Sequence, residues 1–163
     1  GARDLFVAGA AKSSALVVFD RVDTIKVKPE WGMARVGGIT FPKMFAQFEA
    51  WGFHNGADGK PDTADDINLG LVDVEWGLEE YTAIYGDEDL KYVGTLDAVT
   101  GRFTPNVDGP NPARVGSRNN IGDVWVAATW QPPEKGARPM RARAQLIVTV
   151  PLYVRFVPAR TAP

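Results

Sequence analysis

Cysteine is absent from the 163 residues, and that one gap removes disulfides, thiolate metal ligands, thiol nucleophiles and the Cys-x-x-Cys-His attachment of a c-type haem. Histidine is almost absent as well. His54 stands alone, so a two-histidine metal centre is excluded, and Ser13, Ser14 and Ser117 occur in no nucleophile-elbow context that would join it in a triad. No run of 18 apolar residues occurs, so no helical membrane span is expected, and nothing near the start reads as a signal peptide. Charge of one sign is missing too. A net charge of −2 gives no broad positive field and argues against nucleic acid or an anionic membrane as partner. Arg114, Arg118, Arg138, Arg141 and Arg143 amount to a local basic patch at most, read as a solvated face. Gly37-Gly38 lacks the strand-to-helix setting and the Lys of a phosphate loop.

What remains is rich in β-formers and turn formers. A chain of this length buries roughly two-thirds of the surface its unfolded form exposes, enough for one domain without staples. The opening Gly1-Ala2-Arg3-Asp4, without Met, is expected of a piece cut from a longer precursor. Residues 1–14 end in Gly9-Ala10-Ala11-Lys12-Ser13-Ser14 and read as a linker from a preceding domain. A sandwich is expected over 15–150, and 151–163 reads as an extended apolar tail that needs a surface to lie on.

The stretch Gly94 to Thr129 carries the organising pattern. Gly94-Thr95-Leu96-Asp97, Gly101-Arg102-Phe103-Thr104-Pro105 and Gly109-Pro110-Asn111-Pro112 place turn residues where the chain must reverse, and an alternating run on Val124, Val126 and Ala128 follows. Ala15 to Phe19 is continuously apolar and reads as a strand. In Val22 to Lys28, Ile25 and Val27 alternate with polar residues until Pro29 removes a ladder donor. Trp31 to Val36 is a short strand, and Lys43 to Phe53, ambiguous by spacing, is assigned as strand from its neighbours. Leu71 to Glu79 puts Val72, Val74, Trp76 and Leu78 on one face, the mark of an antiparallel sheet with one wet side. Residues 80–90 form a connection with room for one helical turn. Met140 to Val150 turns Ala142, Ala144, Leu146, Val148 and Val150 inward. Eight or nine such strands with almost no helix predict an all-β fold, an immunoglobulin-like antiparallel β-sandwich without disulfide, its core filled by Trp76, Trp125, Phe48 and Leu146.

The one cluster with ligand chemistry is the loop His54 to Asp66. Asp58, Asp62, Asp65 and Asp66, with Asn55 and loop carbonyls, offer hard oxygen ligands of the kind Ca²⁺ takes. Lys60 and Thr63 stand where an EF-hand starting at Asp58 would need a ligand and a glycine. The competing reading is a solvated turn whose Asp side chains cap backbone amides. Glu75, Glu79 and Glu80 do not make an acid/base pair, because strand neighbours point to opposite faces. Trp76 and Trp130 fall on core faces, while Trp31, Trp51 and Trp125 remain open for stacking on a sugar. No catalytic residue is assigned.

Two resemblances follow. The order of Ile25-Lys26-Val27-Lys28-Pro29, Val74-Glu75-Trp76, the Gly94 and Gly101 segments and a final Leu-Ile-Val-Thr-Val is similar to invasin- and intimin-type repeats, surface adhesion modules. A second covers nearly the whole chain. Val7-Ala8-Gly9-Ala10, Phe19-Asp20-Arg21-Val22-Asp23, Ala34-Arg35-Val36-Gly37-Gly38, residues 57–66, Gly109-Pro110-Asn111-Pro112-Ala113-Arg114 and Asn119-Asn120-Ile121-Gly122-Asp123 resemble the C-terminal part of the alpha subunit of quinohemoprotein amine dehydrogenase. That resemblance implies a periplasmic enzyme of three subunits, with two c-type haems in an N-terminal domain of the alpha subunit and a Trp-derived quinone in the gamma subunit. With no Cys, this chain represents only the β-region behind the haems. The resemblance therefore implies an accessory domain whose partners are sibling subunits or neighbouring domains, with haem and quinone held elsewhere.

Overall fold

The computed structural model describes residues 2–6, 13–17, 21–39, 41–82 and 88–151, the first two as backbone only. Ala2–Phe6 (β1) and Ser13–Val17 (β2) pair as an antiparallel hairpin in a two-stranded sheet of their own, so a strand occupies part of the segment expected as linker. The expected tail, beyond Pro151, lies outside the described residues.

From residue 21 onward the chain builds two facing layers. In one, Trp31–Arg35 (β4), Glu75–Glu80 (β8), Gly122–Trp130 (β11) and Met140–Thr149 (β12) form a sheet in the order β4-β12-β11-β8. The other is built around Ala46–Gln47 (β5) and Glu49–His54 (β6), one strand interrupted at Phe48. Thr24–Lys28 (β3) pairs along one edge of it. Arg102–Pro105 (β10) and then Ile67–Leu71 (β7) follow one another along the other edge, with Gly94–Leu96 (β9) outside β10. Phe48 N–H donates to Gly101 O at 3.1 Å and Ala50 O accepts from Val72 N–H at 3.0 Å, which ties both neighbours to that edge.

Alternation explains why the layers meet as they do. Ile25 and Val27, Ala34, Phe48 and Ala50, Trp76, Phe103, Val124, Val126 and Ala128, and Ala144, Leu146 and Val148 all reach one core cluster, as period-2 strands with one dry face require. The immunoglobulin-like sandwich is thus formed without a disulfide. Its named strands pair antiparallel except β4, which runs parallel to β12, and an isolated bridge between Gly37 and Val107 is also parallel. The chain stops pairing at Pro29, crosses between layers without reversing, and resumes at Trp31 on the opposite sheet.

Three expectations are corrected. Trp125 is only half-buried, because its neighbours Val124 and Val126 point into the core and strand alternation sends it outward. Val150 lies one residue past the end of β12 and is exposed rather than inward. Leu71 to Glu79 is two strands, not one: the backbone changes layer across residues 72–74 while Val72 and Val74 keep packing on the core, so the side-chain pattern stays continuous. Phe48, Trp76 and Leu146 are buried as expected, and Trp130 packs against the core from its edge.

Candidate interaction site

The acidic loop leaves β6 at His54 and returns at Ile67. Its carboxylates face the loop's own backbone. Asp65 Oδ2 accepts from the amides of Ala57 at 2.7 Å and Asp58 at 3.3 Å, and the Thr63 hydroxyl donates to Oδ1 at 2.8 Å. The hydroxyl first, then the amides, hold the Asp65 carboxyl below the ordinary 3.8, since hydrogen bonds to the charged form favour it. Asp58 accepts from Lys60 N–H at 2.8 Å, and Asp66 from Asp62 N–H at 2.9 Å. Lys26 reaches over from β3 to Asp62 at 2.6 Å and Asp66 at 3.5 Å, and the bond to Asp62 raises its pKa above the usual value. At the loop's root, Asp23 Oδ2 accepts from Asn55 N–H at 3.1 Å and lies 3.6 Å from His54 Nε2, while the Thr24 hydroxyl donates to Asn55 Oδ1 at 2.8 Å. Among the described residues no three His, Cys, Asp or Glu are grouped so as to hold a metal. Asp58, Asp65 and Asp66 share the Thr63 hydroxyl at 3.4, 2.8 and 3.3 Å, so the four carboxylates are spent on the loop's amides, that hydroxyl and Lys26.

The arginines do not form one patch. Arg141 and Arg143 both bind the carboxylate of Glu79 on the outward face of β8, Arg143 at 3.3 Å. Arg114 is buried. It enters the second structural feature, a polar clamp that sequence reading missed. Asp89 opens a single helical turn, Asp89–Tyr92 (α1), and its Oδ1 accepts from Arg114 Nη2 at 2.6 Å with the two side chains 5% and 3% exposed. Asp89 Oδ2 accepts from Asp123 N–H at 3.0 Å. Arg114 Nη1 donates to the carbonyls of Asn119 at 2.9 Å and Ile121 at 2.7 Å, and its guanidinium lies 5.3 Å from the centre of the Tyr92 ring. Tyr92 in turn donates its hydroxyl to Ala113 O at 3.1 Å.

Around this pair the asparagines close the loop between β10 and β11. Asn111 donates to Asn120 Oδ1 at 2.8 Å, Asn120 to Val107 O at 3.0 Å, and Asn119 to Asp108 Oδ1 at 2.9 Å. No buried side-chain polar atom among the described residues lacks a partner, which is the condition under which a buried charged network holds one conformation. Gly122 belongs to the same device: a Cβ there would stand 2.1 Å from the Asp89 carboxylate. The clamp was invisible because an Asp and an Arg 25 residues apart, each in a polar stretch, look like solvated charges. The only trace of it was that Arg114, Asn119, Asn120 and Asp123 lie in the segments that carry the stronger family resemblance.

The third feature is the outward face of the four-stranded sheet. Register sets Trp31 beside Gln145, Gln145 beside Trp125, and Met33 beside Ile147. Trp31 is 61% exposed, Met33 44% and Ile147 36%. Tyr81 packs at a 38° tilt against Trp125 with ring centres 4.8 Å apart, and the Arg143 guanidinium sits 5.3 Å from the centre of the Trp125 ring. Of the tryptophans left open by the sequence, Trp31 and Trp125 therefore share this face, whereas Trp51 stands on β6 beneath Lys28, 5.1 Å from the ring centre.

Comparison with known proteins bears on what such a domain belongs to. No curated protein matches. Among solved structures, 85% of the chain aligns with mouse clustered PcdhgC3 EC1-3 at 18% identity and a TM-score of 0.46, over 38% of that chain. Protocadherin Gamma C5 EC1-3 aligns over 84% of this chain and 38% of its own at 15% identity, TM-score 0.42. The chain thus spans well under half the length of either structure. Residues 25–160 match the family described as quinohemoprotein amine dehydrogenase, alpha subunit domain IV. That span takes in both layers of the sandwich, the acidic loop and the clamp, and this chain belongs to that family.

Proposed function

We propose that this chain is a non-catalytic interaction domain of the alpha subunit of a periplasmic amine dehydrogenase, and that it supports assembly of the enzyme around haem and quinone centres carried by other domains and subunits. The observation that carries this reading is the use made of the ionisable groups. Asp89 and Arg114 neutralise one another inside the fold, and Asp65 and Asp66 cap the loop's amides. Glu79 ties together Arg141 and Arg143. General acid/base or nucleophilic work needs such groups convergent on a shared cleft, and these groups are instead spent on ion pairs and amide caps within the fold.

Supplied with a primary amine and an artificial electron acceptor, the purified chain is expected to give no turnover. Restored in cis to an alpha subunit lacking residues 25–151, it is expected to re-establish association with the sibling subunits. Amine-dependent reduction of the acceptor by the chain alone refutes the reading.

A further inference from the structure

The outward sheet face carries the residue types that dominate interface energetics, Trp, Tyr, Met and Arg, in one contiguous group. On a free domain such a group is an exposed apolar patch. We propose that this face, centred on Trp31, Met33, Ile147 and Trp125, is the seat of a neighbouring domain of the same alpha-subunit chain. The inference rests on the reading above that this chain is a non-catalytic domain of the alpha subunit, and names the surface it turns to its chain mates.

Size points to a tethered neighbour rather than to a separate subunit or a second copy. The 5, 10, 9 and 6 residues of β4, β12, β11 and β8, rising about 3.3 Å each on strands about 4.8 Å apart, give roughly 480 Å² on this side. Counting both partners, that is about 950 Å², within the range of contacts between domains of one chain. A stable complex of independent proteins needs about 1,200–2,000 Å². Covalent linkage raises the neighbour's local concentration to about the millimolar range, so a small face suffices within a chain.

Charge narrows the occupant further. Arg141 and Arg143 share the single carboxylate of Glu79, which holds these charges at the margin while Trp31, Met33 and Ile147 form the exposed apolar centre. The occupant accordingly presents an apolar protein surface. The family's description as the fourth domain of a subunit is in keeping with a chain mate of that kind. The face is also preorganised: Trp125 is held between Tyr81 and Arg143, and little side-chain freedom is left for docking to remove.

Hydroxyl-radical footprinting with mass spectrometry, on the complete alpha subunit and on the 163-residue chain side by side, tests this. Trp31 loses most of its 61% exposure in the subunit, so its modification is expected to slow about fivefold or more, as for the buried core of an interface, with Met33 following. Leu71, on the other layer, is expected to react alike in both. Equal rates at Trp31 and Met33 overturn the proposal. If another surface is protected instead, or if no residue is protected, this face is wrong, while association with the sibling subunits, absent from both samples, stands on its own test. Protection of Trp31 that grows with the concentration of the isolated chain assigns the face to a second copy and likewise overturns the proposal.

Discussion

Replacing Asp89 with alanine removes the carboxylate that neutralises Arg114 and leaves a guanidinium with 3% of its side chain exposed. The Asn119 and Ile121 carbonyls still accept from it, but the carboxylate 2.6 Å from Nη2 is gone, and the Asp123 amide loses its acceptor. Breaking a buried pair from one side costs about 3–5 kcal/mol, because the surviving charge stays desolvated. For a domain of this size that is roughly a 10–15 °C fall in midpoint. The counterpart Arg114→Met leaves the Asp89 carboxylate to the Asp123 amide without its cation and takes the donor from two loop carbonyls, and is expected to fall in the same range. Combining the two removes both charges together, so the double variant should be less damaging than the sum by about 2 kcal/mol or more. Urea unfolding followed by tryptophan fluorescence gives all four corners of the cycle. Single variants each within about 1 kcal/mol of the parent, or strict additivity, would refute the claim that this pair clamps the loop before β11.

Other consequences are smaller or more local. Gly122→Ala presses a methyl group onto the Asp89 carboxylate, 2.1 Å away before relaxation, and is expected to destabilise by about 1–3 kcal/mol; denaturant midpoints equal to the parent's would contradict that contact. Asp65, held low chiefly by the Thr63 hydroxyl, and Asp97, held low by the amides of Thr100 and then Val99, have folded pKa values beneath their unfolded ones. Their contribution is therefore complete above pH 3.8 and fades as pH falls through the lower folded values, as linkage requires. Carboxyl-carbon NMR should find both titrating below 3.8, and a midpoint at or above it would show these bonds absent in solution. Because Asp58, Asp65 and Asp66 face amides, calorimetry with millimolar Ca²⁺ should give no saturable heat. A stoichiometric isotherm would mean that the loop reorganises around metal.

The strands were legible because their signal is local. Ile25 and Val27, or Ala144, Leu146 and Val148, write a dry face into a few consecutive residues, and the sandwich follows from having many such faces. What failed was decided by neighbours distant in sequence. Trp125 looked like core because of its size, yet the phase fixed by Val124 and Val126 turns it out to meet Tyr81 and Arg143. The split after Leu71 was hidden because Val72 and Val74 keep the same side-chain phase while the backbone hydrogen bonds change partner. The clamp was illegible for a related reason: nothing near Asp89 announces Arg114, and the charges of Arg114 and Arg143 looked alike until the fold buried one and exposed the other. The acidic loop was ambiguous in composition, since oxygens that cap amides and oxygens that bind Ca²⁺ come from the same side chains.

The account stands most directly on what an alpha subunit does when residues 25–151 are cut out and the enzyme is expressed whole. Haem incorporation should persist while association with the sibling subunits collapses, read by co-purification and haem absorbance on the same column. Normal association accompanied by loss of amine turnover would contradict the account, because it would put chemistry, and not assembly, in this sandwich.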